Sequence, residues 1–581
     1  MKNLLFLCCL ALNLDSQVLN SRSVVHPVVG QKGMVVTQHF IASEIGSEVL
    51  QSGGNAFDAT VAVSFALAVV LPRAGNIGGG GFAVIYHKDG NVFETLDYRE
   101  KASENSSRDM YLIDEEFDPK LSTEGYKAIA VPGTVDGMWE LHQKYGSLPW
   151  KDLIQPAIRL ASKGFRVTPF MADTLNSYQE RFYKFKTTRK IFYKEDGFKF
   201  NDVLIQKDLA KSLKLISTDG RKSFYEGQIA KKIVADMKKN DGLLTINDLK
   251  QYRSSWRKPL IGDYRDYKII TMPPPSSGGL HLIQMLNILE SFDLKLLGHN
   301  SVEYVLILSE VMKYAFADRS KYLGDPDFVD VPVSEIISKQ YSDRIASKIE
   351  LNEATPSSKV LPGEFFRQEG DETTHFSIAD QFGNIVSNTY TLNSGYGSKV
   401  VIKDTGILMN NEMDDFSAAP GIPNQFGLIG GKFNEIKPFK RPLSSMTPTI
   451  VFKDNKPFLV VGSPGGPRII SAVLQNILNV IDFNMEISDA INVNRIHQQW
   501  FPDVVTLEYG MNPNFTEYLD KAGQKSIFLN PNTALESIQM KNNLFYGYGD
   551  KRRPDSKAIG VDQWLKNWQW YLCMQYQHFF S

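Results

Sequence analysis

Residues 370–393 read GDETTHFSIADQFGNIVSNTYTLN, an acidic stretch followed by two runs of alternating apolar and polar residues about a glycine turn. The alternation predicts two strands, THFSIAD and IVSNTYTL, joined at QFGN. The segment ahead of them, EATPSSKVLPGEFFRQEGDE (353–372), mixes Pro, Ser, Gly and charge without periodicity and reads as an exposed, mobile loop. Thr373 therefore opens a strand directly after a segment that can be cut. A threonine inside a chain is a poor nucleophile, whereas one at a chain's N-terminus carries an amine able to deprotonate its own hydroxyl. What Thr373 does depends on whether the bond from Glu372 to Thr373 is broken.

On the N-terminal side, IASEIGSEVLQSGGNAFDATVAVSFALAVVLP (41–72) carries apolar residues at three- and four-residue spacing on both sides of Gly53–Gly54. That spacing predicts two helices joined by a glycine turn, the second mostly buried. NIGGGGFAVIYHKDGNVFETLDYRE (76–100) reads as a glycine loop feeding a hairpin about KDGN. Residues from about 120 to 350 are mostly helical in pattern, with LIQPAIRLASKGF (153–165) and LHLIQMLNILESF (280–292) amphipathic, and MPPPSSGG (272–279) reads as a rigid, solvent-facing turn between them. After Asn352 strands take over, including PTIVFKDNKPFLVVG (448–462) as a pair about KDNK. There is no internal repeat and no low-complexity tract.

The composition bounds the function. With 581 residues, 43% hydrophobic, 22% charged and a net charge of −1, the chain is an ordinary globular protein with room for a large core. Near-neutral balance without a Lys/Arg block argues against nucleic acid or an anionic membrane as partner and favours a small-molecule substrate. The opening MKNLLFLCCLALNLDSQ is a lysine and an apolar run too short to span a bilayer, the pattern of a secretory signal ending near residue 20, which predicts a periplasmic or secreted protein. Val61–Leu71 is likewise too short for a span. Of the three cysteines, Cys8 and Cys9 lie in the leader, so Cys573 alone remains and neither a disulfide nor a CxxC metal site is expected.

Several motifs have competing meanings. GGGGFA (78–83) fits a dinucleotide fingerprint loosely but precedes a strand instead of following one, so a tight backbone turn is favoured. No GxxxxGK[ST] or HExxH occurs, and His375 reads as a packed strand residue. VGSPGG (461–466) is not a GxSxG elbow. NNEMDDF (410–416) brings Glu412, Asp414 and Asp415 together; such a cluster could hold an ammonium group or a metal, or be a solvated turn, and no calcium-loop pattern is present. Arg99 with Ser444 and Ser445 of RPLSSMTP could bind a carboxylate. Separate ammonium and carboxylate anchors describe an α-amino acid.

These segments together resemble the γ-glutamyltransferases (γ-glutamyltranspeptidases), a family of N-terminal-nucleophile hydrolases, over roughly residues 33–562. The resemblance is carried by GGNAFDATVAVSFALAVVLPRAGNIGGGG, LDYRE, VPGTVDGMWE, MPPPSSGG, FADRSKYLGDPDF, TTHFS, TYTLN, NNEMDDFS, RPLSSMTPTI and GSPGGPRI, in that order. It implies an α+β fold, a four-layer αββα sandwich built jointly by a large subunit (26–372) and a small catalytic subunit (373–563), after self-cleavage between Glu372 and Thr373. It implies Thr373 as nucleophile with Thr391 hydrogen-bonded to it, Gly465 and Gly466 as oxyanion hole, Arg99, Ser444 and Ser445 on the substrate α-carboxylate, and Asn393, Glu412 and Asp415 on its α-amino group. It implies no cofactor and no metal. The substrates it implies are γ-glutamyl amides such as glutathione and glutamine, with water or an amino acid or dipeptide as acceptor, and the processed heterodimer as assembly, alone or paired into a dimer of heterodimers. Two departures stand out. Phe426 in PNQFGL replaces the lid tyrosine usual in bacterial relatives, and the aromatic tail WLKNWQWYLCMQYQHFFS (564–581) has no counterpart. The competing readings are a family acylase acting on glutaryl or poly-γ-glutamate substrates and an unprocessed, non-catalytic relative.

Overall fold

The two strands that follow Thr373 form as the alternation predicts and lie at the centre of a seven-stranded sheet. A computed structural model describes residues 18–20, 23–361, 373–417, 431–530 and 533–562. Edge to edge, the first sheet runs through Lys557–Val561 (β14), Gly33–Thr37 (β2), Thr374–Ala379 (β8), Ile385–Thr391 (β9), Gly80–His87 (β3), Val92–Asp97 (β4) and Ser255–Arg257 (β5). A second runs through Val28–Gly30 (β1), Leu544–Gly549 (β13), Glu536–Lys541 (β12), Lys456–Val461 (β11), Thr449–Lys453 (β10), Tyr267–Thr271 (β7) and Leu260–Tyr264 (β6). Both sheets draw strands from each side of Thr373, so the two parts of the chain share one fold.

The period-two pattern sorts side chains into layers. In β2, Val35 joins a core that contains most of two helices, Phe40–Gln51 (α1) and Ala56–Val70 (α2), while its neighbours Met34 and Val36 join the core between the sheets. That second core continues through Ile450, Val460 and Ile538 of the other sheet to the helices Gly278–Leu289 (α3), Val302–Tyr322 (α4) and Arg468–Ile481 (α5). Helices, sheet, sheet and helices make a four-layer αββα sandwich.

The local expectations near the N-terminus hold. α1 and α2 flank Gly53, whose φ of +93° suits glycine, and α2 starts at a reciprocal cap between Asn55 and Asp58 and is buried along its whole length. Val61–Leu71 is therefore core, and among the described residues no helix is long and apolar enough to cross a membrane. The KDNK turn closes with Asp454 and Asn455 both at positive φ, as a tight two-residue hairpin requires. The helical region 120–350 is interrupted by β5–β7 and by a short two-residue pair, Phe165–Arg166 with Val203–Leu204, that its sequence pattern did not announce.

One expectation is corrected and another is qualified by local anchoring. MPPPSSGG (272–279) does not face solvent: every one of its residues is buried, because its polar groups are satisfied internally, Ser276 Oγ donating to Met446 O at 2.5 Å and Ser277 N to Ser444 O at 2.7 Å. The stretch 353–372, read as an exposed loop, is anchored over its first part: Ser357 and Val360 are buried, and the Trp500 indole donates to both of their carbonyls at 2.8 and 3.0 Å. Residues 362–372, with Glu372, lie outside the described residues, as do Phe426, the leader up to Gln17 and the tail.

Candidate active site

Thr373 and Thr391 are brought together by strand register. Thr374 of β8 stands opposite Tyr390 of β9, and one further step of the same antiparallel ladder sets Thr373 against Thr391. Thr391 is fixed in turn: its Oγ1 accepts from Asn393 N at 2.8 Å and its carbonyl accepts from Asn76 Nδ2 at 2.7 Å. The glycine run explains itself here. A Cβ on Gly79 would overlap the Thr391 carbonyl oxygen, and one on Gly81 would overlap that of Thr389. GGGGFA is therefore a tight bend at Gly78–Gly79 that runs into the start of β3, where backbones approach closely.

The charged half of the site hangs on Arg99, which follows β4. Its backbone N–H donates to Asp97 Oδ1 at 3.0 Å, and its guanidinium donates to the carbonyls of Pro442 at 3.2 Å and Leu443 at 3.0 Å. The same guanidinium contacts the carboxylates of Glu412 and Asp415 directly, with Glu100 3.6 Å away. Glu412–Asp415 is a short 3₁₀ turn, so residues three apart share a side. Asp414 points elsewhere and accepts from Ser122 Oγ at 2.6 Å. The acidic trio of the sequence is thus split two to one. Asn393, at a φ of +74°, donates through Nδ2 to Asn411 O at 3.0 Å and also hydrogen-bonds Asp415.

Two buried carboxyls, Glu100 and Glu412, and the partly buried Asp415 therefore surround one guanidinium. Burial raises the pKa of each and Arg99 opposes this, while repulsion from neighbouring carboxylates adds to the rise at Glu100 and Glu412. Glu100 is pushed up to about 8 and Glu412 well above the ordinary carboxylate range, each by burial first, and neither Glu100 oxygen has a hydrogen-bond partner.

The serine loop and the glycine pair complete the walls. Ser444 N donates to Pro275 O at 2.9 Å, which ties RPLSS to the buried MPPPSSGG segment. Gly465 and Gly466 have φ of +126° and +54° and precede α5 with Pro467 between, near the helix end whose N–H groups and positive dipole pole favour an anion; Gly466 lines the cleft and Gly465 stands behind it. Arg99, Thr373, Thr391, Asn393, Glu412, Asp415, Ser444, Ser445, Met446, Gly466 and Ile469 line one cleft.

With that arrangement in view, the comparisons have a definite meaning. Residues 42–560 match the gamma-glutamyltranspeptidase family model. The chain belongs to the gamma-glutamyltranspeptidase family. It is 46% identical over 541 residues to the glutathione hydrolase proenzyme of Escherichia coli (strain K12), covering 92% of this chain and 93% of that protein. The crystal structure of Helicobacter pylori gamma-glutamyltranspeptidase is 47% identical, with a TM-score of 0.56, and covers 61% of this chain and 99% of its own. The cephalosporin acylase from Bacillus halodurans shares the fold over 94% of this chain and 99% of its own, with a TM-score of 0.81 at 26% identity.

Within this family frame the remaining candidates fall into place. His375 is buried between Thr389 Oγ1 at 2.8 Å and Ser377 Oγ at 3.0 Å, and burial holds its pKa down to about 3, so it is neutral near pH 7. Ser463 donates to Pro464 O at 2.7 Å. Among the described residues no three His, Cys, Asp or Glu side chains form a group that could hold a metal ion. Sequence reasoning missed Met446 and Ile469, which line the cleft, and Glu100, the neighbour of Arg99. Apolar and backbone-packing roles leave no motif of their own; Glu100 was visible in LDYRE but carries no signal of burial.

Proposed function

We propose that the protein matures by cutting its own chain between Glu372 and Thr373 and then hydrolyses or transfers γ-glutamyl groups from amides such as glutathione and glutamine. The observation that carries this reading is the single cleft that collects one guanidinium, two carboxylates, two serine hydroxyls and a positive-φ glycine around Thr373. The names of the relatives support it, since the Escherichia coli protein is a glutathione hydrolase proenzyme. So does the 61% share of this chain that covers the whole Helicobacter pylori chain, close to the share that precedes Thr373.

In this mechanism the freed amine of Thr373, with an ordinary terminal pKa of about 8, takes the proton of its own hydroxyl. The oxygen attacks the γ-carbonyl. The carbonyl oxygen becomes anionic and is met by the N–H groups of Gly465 and Gly466, where no side chain stands in the way. The C–N bond breaks, the leaving amine takes the proton, and a γ-glutamyl ester of Thr373 remains until water or an acceptor amine attacks it. Arg99, Ser444 and Ser445 hold the donor's carboxylate, and Asn393, Glu412 and Asp415 hold its ammonium. The enzyme works as a heterodimer of the two polypeptides in the periplasm or the medium.

The fold shared with a cephalosporin acylase favours one second reading, a glutaryl acylase. A glutaryl group has no ammonium and leaves Glu412 and Asp415 without their partner, at about 1–3 kcal/mol for each unsatisfied group. Turnover of γ-glutamyl-p-nitroanilide beside its glutaryl analogue tests this: preference for the γ-glutamyl substrate is expected, and preference for glutaryl overturns the assignment.

A further inference from the structure

The serine pair that faces the cleft is held from behind by a second buried guanidinium. Arg319, in the FADRSKYLGDPDF run near the end of α4, is 4% exposed and stands outside the cleft lining. Its Nε donates to Ser277 Oγ at 2.7 Å, and Ser277 Oγ donates in turn to Ser444 O at 2.8 Å. Its Nη2 reaches Ser445 Oγ at 3.4 Å.

A guanidinium carries only donors, so each hydroxyl it meets must accept. Ser445 Oγ, accepting from Arg319, keeps its own proton for another partner. Ser444 Oγ is in the same condition, because it accepts from Met446 N at 3.2 Å. Two adjacent hydroxyls on the cleft wall, both with a proton to give, match the two oxygens of a carboxylate. The charge agrees with the hydrogen bonding. Burial lowers the Arg319 pKa to about 9, attraction to Asp415 opposes this, and repulsion from Arg99 adds to it, so Arg319 lies within electrostatic reach of both. It also joins the part of the chain before Thr373 to the serine loop after it.

We propose that Arg319 is a positioning residue for the donor's α-carboxylate: it sets the Ser277–Ser444–Ser445 hydrogen bonds so that both cleft serines donate, and it adds a second positive charge behind them. This rests on the γ-glutamyl reading above. A lysine can keep the charge but not reach Ser277 and Ser445 at once, so Arg319→Lys and Arg319→Gln separate the two contributions.

The test is steady-state turnover of γ-glutamyl-p-nitroanilide by the wild type, Arg319→Lys, Arg319→Gln, Ser445→Ala and the Arg319→Gln/Ser445→Ala double variant. Arg319→Gln is expected to raise KM by about 10- to 100-fold with kcat changed less than about threefold, the signature of lost ground-state binding to a charged group. Arg319→Lys should recover part of the loss. The double variant should be worse than the poorer single by no more than about twofold, because both changes remove the same interaction. A loss confined to kcat, or fully additive effects, overturns the proposal. Failure of both Arg319 variants to yield two polypeptides on a denaturing gel overturns it too, because Arg319 would then be needed for folding. Absence of wild-type turnover is a different result: it defeats the γ-glutamyl reading itself and this inference with it.

Discussion

Arg99 and Asp415 are in direct contact across the cleft, although they are assigned to opposite ends of the same ligand. An α-amino acid entering the cleft has to part them. On the proposed assignment its carboxylate takes over Arg99 and its ammonium takes over Asp415, so each charge exchanges one partner for another and none is left alone. A ligand with only one of the two groups strands a charge. On that assignment the contact acts as a filter for zwitterions.

Asp415→Asn should remove that filter. The loss of a buried, hydrogen-bonded charge partner predicts a fall in kcat/KM for γ-glutamyl-p-nitroanilide worth about 2–5 kcal/mol, mostly through KM. Turnover of the glutaryl analogue should suffer less. Equal losses on both substrates would mean that Asp415 does not read the ammonium.

The pH dependence follows from the direction of the Asp415 shift. Burial raises its pKa above the ordinary 3.8 despite the pull of Arg99. Its carboxylate is charged above that raised value and neutral below it, so donor affinity is present on the alkaline side and is lost as the pH falls through it. KM should therefore rise on acidification at a pH above the ordinary aspartate range, and Asp415→Asn should flatten this limb. A wild-type KM that stays constant down to the ordinary range contradicts the assignment.

Gly465→Ala should lower kcat. The φ of +126° excludes ordinary L side chains, and the new Cβ would lie 2.6 Å from Thr533 Cγ2, so the N–H groups at 465 and 466 must swing. Loss of one oxyanion donor costs about 10²–10³ in kcat. The check is single-turnover acylation, which should slow by that factor while donor binding stays nearly unchanged.

The buried MPPPSSGG segment predicts a remote binding defect. A Cβ on Gly278 would overlap Thr447 Oγ1 and lie 2.7 Å from Ser445 O. Gly278→Ala should push the serine loop out of place, raise KM, and destabilise the fold by about 1–3 kcal/mol as overpacking does. Thermal unfolding and donor KM measured on the same sample should move together.

The site was more legible than the fold that supports it. Thr373, Arg99 and the serine pair stand in runs whose chemistry can be read locally, Thr391 comes only through the family resemblance, and the hairpins and the α1–α2 pair follow from periodicity in single segments. What could not be read was long-range. MPPPSSGG has the composition of an exposed turn, and only the carbonyls of Ser444 and Met446, some 170 residues away, make its burial affordable. The split of Asp414 from Glu412 and Asp415 needs the 3₁₀ turn and Ser122 as partner. Arg319 lies on a helix buried nearly all round, where no amphipathic pattern marks one side chain as special.

The central claim is that scission before Thr373 creates the nucleophile. Intact-mass spectrometry of the purified protein after incubation with a γ-glutamyl donor tests it most directly. Two polypeptides are expected, the smaller beginning at Thr373 and carrying a transient γ-glutamyl adduct on that residue, while Thr373→Ala stays one uncut, unlabelled chain. A smaller polypeptide that begins at any other residue, or an active enzyme that remains a single chain, contradicts the account.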